Sequence, residues 1–139
     1  MTAFLADPVS KLHDPGPGHP ESPSRFDAVI KGLSEFEVKT LPPRSATVEE
    51  IGLCHTRAYI RTARHETEEG FSQLSTGDTN LCEKTFDVAC RAVGTVLDGV
   101  DLVFQKQAGN AFCVVRPPGH HALANRGMRF CMFNNIAIG

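Results

Sequence analysis

The sequence predicts an α/β fold, a partial open parallel sheet with flanking helices. Ala111 to Val115 is an unbroken apolar run rich in β-branched and aromatic residues, which suggests a strand covered on both faces. Before it, Phe86, Cys90, Val93, Leu97, Val100 and Phe104 repeat at steps of three and four, the apolar stripe of one long helix. A long helix feeding directly into such a strand is a crossover unit of a parallel sheet. Pro117 and Pro118 then stop the strand, and Gly119, His120 and His121 follow. The two histidines therefore fall just past a strand's carboxyl end, where open α/β sheets place their ligand crevices.

In chain order, residues 2–9 begin with a short strand. Residues 13–23 hold four prolines and two glycines, so they form a loop. His13, Asp14, His19 and Glu21 cap and brace that loop, since proline-rich turns separate them too much for a ready metal cluster. Ser22 and Pro23 read as N-cap and first turn of a helix to about Glu35, with Phe26, Val29, Ile30 and Leu33 on its apolar face. Val38 to Leu41 reads as a second short strand. Thr47-Val48-Glu49-Glu50 has capping-box spacing and starts a short helix ending near Leu53. Thr56 caps another helix to about Glu69, and His55, in the turn before it, and Tyr59, within it, are packing residues. The polar run from Gly70 to Thr79 is a mobile loop. The long helix has start signals at Asn80 and Glu83 and stop signals at Lys106 and Gly109.

The 139 residues suit one domain with a modest core. Hydrophobic content of 41% with 22% charged residues is that of a globular chain. The net charge of −2 and scattered basic residues give no footprint for nucleic acid. No membrane partner is expected, because no apolar stretch approaches spanning length, and the setting is read as cytoplasmic. The five cysteines form no C-x-x-C pair, which favours free, buried thiols. After the apolar run Phe130 to Phe133, Asn134 or Asn135 is a natural N-cap, yet only Ile136 to Gly139 remain. One turn cannot sustain a helix alone. A truncated domain is expected, or one completed by another chain or an oligomer that covers an exposed sheet edge and apolar face.

RPPGHHA and FCMFNN, with HDPGPGHPESPSR and GDTNLCEKTFDVACRA upstream, resemble the zinc-dependent histone deacetylase family and its bacterial relatives that act on acetylated polyamines. The resemblance implies an arginase-deacetylase fold, with residues 1–139 the amino-terminal part of a deacetylase-like α/β domain. The downstream metal-ligand segments, a D-x-H motif and a later aspartate, are lacking, as is the tyrosine that stabilises the oxyanion. It also implies an acetyl-lysine or other acylated-amine substrate, and Zn2+ in the full-length enzyme with no ligand from this chain. By the same resemblance His121 is general base and then general acid, and His120 assists electrostatically. Phe130 lines the acyl-lysine tunnel, Gly119 lets the loop approach the metal site, and Asp78 holds the substrate backbone. Asp78 also reads simply as a turn former after Gly77. Arg129 departs from the family's usual glycine, which puts substrate preference in question and disfavours a cationic polyamine. Two rivals remain: a non-catalytic homologue that binds a ligand or oligomerises, and a local metal site built from His13, His19, Asp78, His120 and His121.

Overall fold

The protein is described by a computed structural model covering residues 1–36 and 43–139. The expected strand Val38 to Leu41 lies outside the described residues. Strand β1 (Thr2–Ala6) pairs in parallel with β2 (Asn110–Val114), Thr2 opposite Asn110 and Ala6 opposite Val114. Alternation along a strand sends neighbouring side chains to opposite faces. Ala111 and Cys113 meet the backbone of helix α4 (Thr85–Phe104) at Gly99. On the other face, Ala6 and Val114 pack on Phe26 of helix α1 (Ser24–Gly32). The result is an open parallel sheet flanked by helices.

β2 is covered on both faces only towards its carboxyl end. Phe112 is 47% exposed and touches Phe4, which in turn stacks on Phe36. The second edge of β2 has no partner strand among the described residues. An apolar groove of about 750 Å³ runs beside it, lined by Val29, Val96, Val100, Val103 and Val115 among others. The upper part of the helical stripe therefore faces this groove instead of a core, and Phe104 is 82% exposed.

Helix boundaries follow local chemistry with three corrections. At α1 the Ser22 hydroxyl contacts the Ser24 hydroxyl at 2.8 Å instead of capping a backbone N–H, and Pro23 is the N-cap residue. At α4 neither Asn80 nor Glu83 caps the start: the Asn80 amide donates to the Pro15 carbonyl at 2.8 Å. Lys106, not Gly109, adopts the left-handed conformation after the helix, at φ 59°. Helix α2 (Val48–Ile51) has the expected capping box between Thr47 and Glu50. Helix α3 (Arg57–Glu68) is capped by the Thr56 side chain, which accepts from the Tyr59 N–H at 3.2 Å.

Residues 70–79, expected as a loop, form a hydrogen-bonded turn. Gln73 and Asn80 bridge antiparallel, Leu74 is buried, and the Ser75 backbone and hydroxyl both bond the buried carboxylate of Glu66. The main core joins α3, α4 and the segment before helix α5 (Asn135–Ile138) through Ile51, Ile60, Phe86, Val93, Met132 and Phe133. Tyr59 donates its hydroxyl to the Met132 carbonyl at 2.6 Å, and burial pushes its pKa well above the usual phenol value. His55 packs against Tyr59 and Phe133, and its Nε2 accepts the Asn134 N–H at 2.9 Å. Both are packing residues, as their positions in the sequence suggested.

All five cysteines are free, but against expectation only Cys90 and Cys131 are buried, whereas Cys54, Cys82 and Cys113 are half-buried. Burial holds the Cys90 thiol up at about 12 and also raises Cys113, so neither ionises near neutrality.

Candidate active site

The histidine loop is braced from beneath. Past β2, Arg116 turns inward and is buried, and its Nε and Nη2 donate to the two carboxylate oxygens of Glu21 at 2.7 and 2.8 Å. Its Nη1 donates to the carbonyls of Ser10 and His13 at 2.6 and 2.9 Å. His13 is buried too, with Nε2 3.5 Å from Glu21 and Nδ1 2.9 Å from the Thr85 hydroxyl. Burial alone would raise the Glu21 pKa, but hydrogen bonds from His13 and Arg116 and the guanidinium charge hold it below the ordinary carboxylate value. The proline-rich loop before α1 is thereby tied to the end of β2.

Above this brace the Arg116–Pro117 bond is cis and the chain passes Gly119. A Cβ there would collide with the Asn135 side chain, and the Gly119 carbonyl accepts the Ile136 N–H at 3.1 Å. The close approach that needs this glycine is thus to the start of α5. His120 and His121 follow with ring centroids 4.1 Å apart, their planes tilted by 50°. Loss of hydration, then the neighbouring His120 and Arg129, lowers the His121 pKa, while Asp78 pulls the other way. The lowering favours the neutral imidazole, the form that accepts a proton.

The opposite wall is a two-residue turn. Met128 and Cys131 exchange two backbone hydrogen bonds, at 3.1 and 3.0 Å, around Arg129 and Phe130. Both central residues have positive φ, 48° and 69°, as in a type I′ turn. Such turns favour asparagine and glycine, and neither occurs here. The Arg129 N–H donates to Asp78 Oδ1 at 2.6 Å, so one oxygen of that carboxylate is already engaged. Gly77 lets this aspartate's turn abut the Gly127 carbonyl, which a Cβ would strike. The Phe130 ring meets the edge of His19 at 4.6 Å between centroids, and His19 Nδ1 accepts the Glu21 N–H at 3.0 Å.

These walls enclose a cleft of about 670 Å³ lined by Asp78, Pro118, His120, His121, Arg129 and Phe130, with Glu21 and Arg25 also contributing. Four of the residues named from sequence thus share one cleft, and Gly119 supports it from behind. The local metal site is not assembled: His13 is consumed by Thr85 and Glu21, and His19 by Phe130 and the Glu21 N–H. Among the described residues no group of three or more His, Cys, Asp or Glu side chains could hold a metal ion. Zinc takes at least three protein ligands, so the donors present do not fit a zinc site on their own.

Residues 19–139 match the profile of the histone deacetylase domain. The chain belongs to the histone deacetylase family. Among curated proteins it is 41% identical over 133 residues to histone deacetylase 6 of Caenorhabditis elegans, covering 86% of this chain and 14% of that protein. It is 36% identical over 132 residues to a probable deacetylase of Archaeoglobus fulgidus, covering 91% of this chain and 36% of that one. The crystal structure of the HDA15 HD domain superposes with a TM-score of 0.89 at 29% identity, over 99% of this chain and 41% of that chain. The chain spans less than half the length of each of these relatives. The deacetylase-like fold expected from sequence is the fold observed.

Sequence reasoning missed the buried Arg116–Glu21 pair, the His19 edge against Phe130, and Arg25 at the cleft. An arginine directly after an apolar strand and a glutamate in a proline loop were the available signals. Only the fold shows that they meet.

Proposed function

We propose that the protein containing this chain is a zinc-dependent deacetylase, hydrolysing acetyl-lysine or related acyl-amines, and that residues 1–139 supply its proton-transfer and tunnel-wall half. The reading is carried by one observation: the adjacent imidazoles of His120 and His121 share a cleft with Phe130 and Asp78 in a chain of the histone deacetylase family. The zinc ligands and the charge that stabilises the tetrahedral oxygen would come from polypeptide other than the residues described. Support for this comes from the relatives' greater length and from the apolar groove and open edge beside β2.

In hydrolysis, water adds to the acyl carbon and the C–N bond breaks, giving a carboxylate and a free amine. His121 takes the proton from the attacking water and returns it to the leaving nitrogen, a role suited to an imidazole whose neutral form is favoured. His120 lies close enough to modulate that proton electrostatically. The Phe130 face would pack along the apolar stem of an acyl-lysine, and the unengaged oxygen of Asp78 could accept a substrate N–H.

The same groove and the open edge of β2 favour a second reading, a non-catalytic homologue that binds through these surfaces. Zinc content and acetate release from an acetyl-lysine peptide separate the two. About one zinc per polypeptide is expected. His121→Ala should lower kcat by roughly 10²–10⁴. A protein without zinc or turnover, whose ligand binding ignores His121→Ala, would establish the binding module instead.

A further inference from the structure

We propose that Arg129 is a specificity residue that favours acyl-lysines flanked by carboxylates and rejects cationic polyamine substrates. This rests on the deacetylase reading and deepens it by naming the substrate class.

The first support is conformational. A type I′ turn made of Arg-Phe holds two bulky side chains at positive φ, where residues other than glycine and asparagine are disfavoured. Strained backbone of this kind persists where the surroundings over-determine it, and it concentrates at functional sites. Here the Asp78 carboxylate fastens the Arg129 N–H, and paired backbone bonds close the turn on either side. Phe130 has an evident use, as the wall beside His19. Arg129 makes no side-chain hydrogen bond or ion pair among those of the described residues, yet it lines the cleft. A structural job that would account for an arginine there is absent, whereas a charge awaiting a partner is present.

The second support is the charge inventory of the cleft. Glu21 is neutralised from below by the paired donors of Arg116. With Arg25 3.9 Å from the same carboxylate, Arg116, Arg25 and Arg129 stand against only Glu21 and Asp78, and Asp78 already has one oxygen engaged. The field at the opening is therefore positive, and the lowered basicity of His121 is consistent with a cation nearby. Arginine's planar fork matches a carboxylate in two parallel hydrogen bonds, whereas a polyammonium chain would meet like charge.

The test uses the full-length protein that contains this chain and three acetyl-lysine peptides of equal length, flanked by glutamate, glutamine or lysine, with acetylated spermidine as the polyamine. Both kcat/KM and binding by fluorescence anisotropy are measured. The expected order is glutamate over glutamine over lysine, with on the order of tenfold between the extremes and the difference in KM. Arg129→Gln should flatten the series and Arg129→Glu should invert it. Both variants keep a side chain at the same backbone position, so a change in turn geometry alone would not reverse the order. An unchanged order in both variants overturns the proposal. Absence of turnover on every substrate would instead count against the deacetylase reading, and anisotropy with the same peptides would still decide the role of Arg129.

Discussion

The two walls of the cleft are held in opposite ways. The histidine loop rests on a buried pair, Arg116 and Glu21, in which every guanidinium nitrogen has an acceptor. The Met128–Cys131 turn carries two disfavoured backbone angles, at exposed Arg129 and half-buried Phe130, and among the described residues the Arg129 guanidinium has no hydrogen-bond or ion-pair partner. The groups proposed to move protons are set by satisfied polar contacts in the interior. The group proposed to choose the substrate sits where substitution disturbs little else. Fixed chemistry and adjustable selectivity are thus assigned to different kinds of local structure.

The sharpest way to break the contrast is at the buried pair. Arg116→Ala would strand the Glu21 carboxylate in the interior, and a loss of about 3–5 kcal/mol is expected in urea unfolding. A loss below about 1 kcal/mol, typical of exposed pairs, would mean that the site is wetter than its burial indicates. The same pair gives a pH signature. Because the folded Glu21 pKa lies below its unfolded value, its contribution is complete above about pH 4.5 and is lost as pH falls through the folded pKa. In Arg116→Ala, unfolding midpoints followed below pH 5 should show a flatter acid dependence than the parent.

At the opposite wall the sign reverses. Arg129→Gly should stabilise by up to about 1 kcal/mol, since relief of left-handed strain exceeds the added freedom of glycine in the unfolded chain. A destabilised variant would show that the arginine side chain holds structure after all. The smallest effect is on titration. Removing the Arg129 cation takes away one of the influences that lower His121, although hydration loss, His120 and Asp78 remain. The acid limb of kcat/KM should therefore move to higher pH in Arg129→Gly, and movement to lower pH would contradict the electrostatic placement.

Much of the site could be read from sequence because its signals are local. Ala111 to Val115 mark a strand, two prolines end it, and a glycine and two histidines follow. The Thr47 and Thr56 caps were legible for the same reason, each needing only a hydroxyl and a nearby N–H. Ser22 and Asn80 carried the same signal and failed, because a neighbouring hydroxyl in one case and the Pro15 carbonyl in the other captured their side chains. Phe104 continued the helical stripe, yet periodicity marks only a face and cannot say what lies opposite it. Glu21 with Arg116, and Asp78 with Arg129, were beyond reach for a different reason. Each pair joins loops far apart in the chain, and nothing in either segment names the other.

The distance along the chain spanned by Arg116 has a consequence for assembly. Its bond to the Ser10 carbonyl joins residues 106 positions apart. Closing a loop of that size carries an entropic cost of about 4 kcal/mol that grows only logarithmically with length. One guanidinium closes it at several points together, so the order of the histidine loop and that of the amino-terminal segment rise and fall as a unit. The protein has its two histidines in place only when its beginning has already found the end of β2.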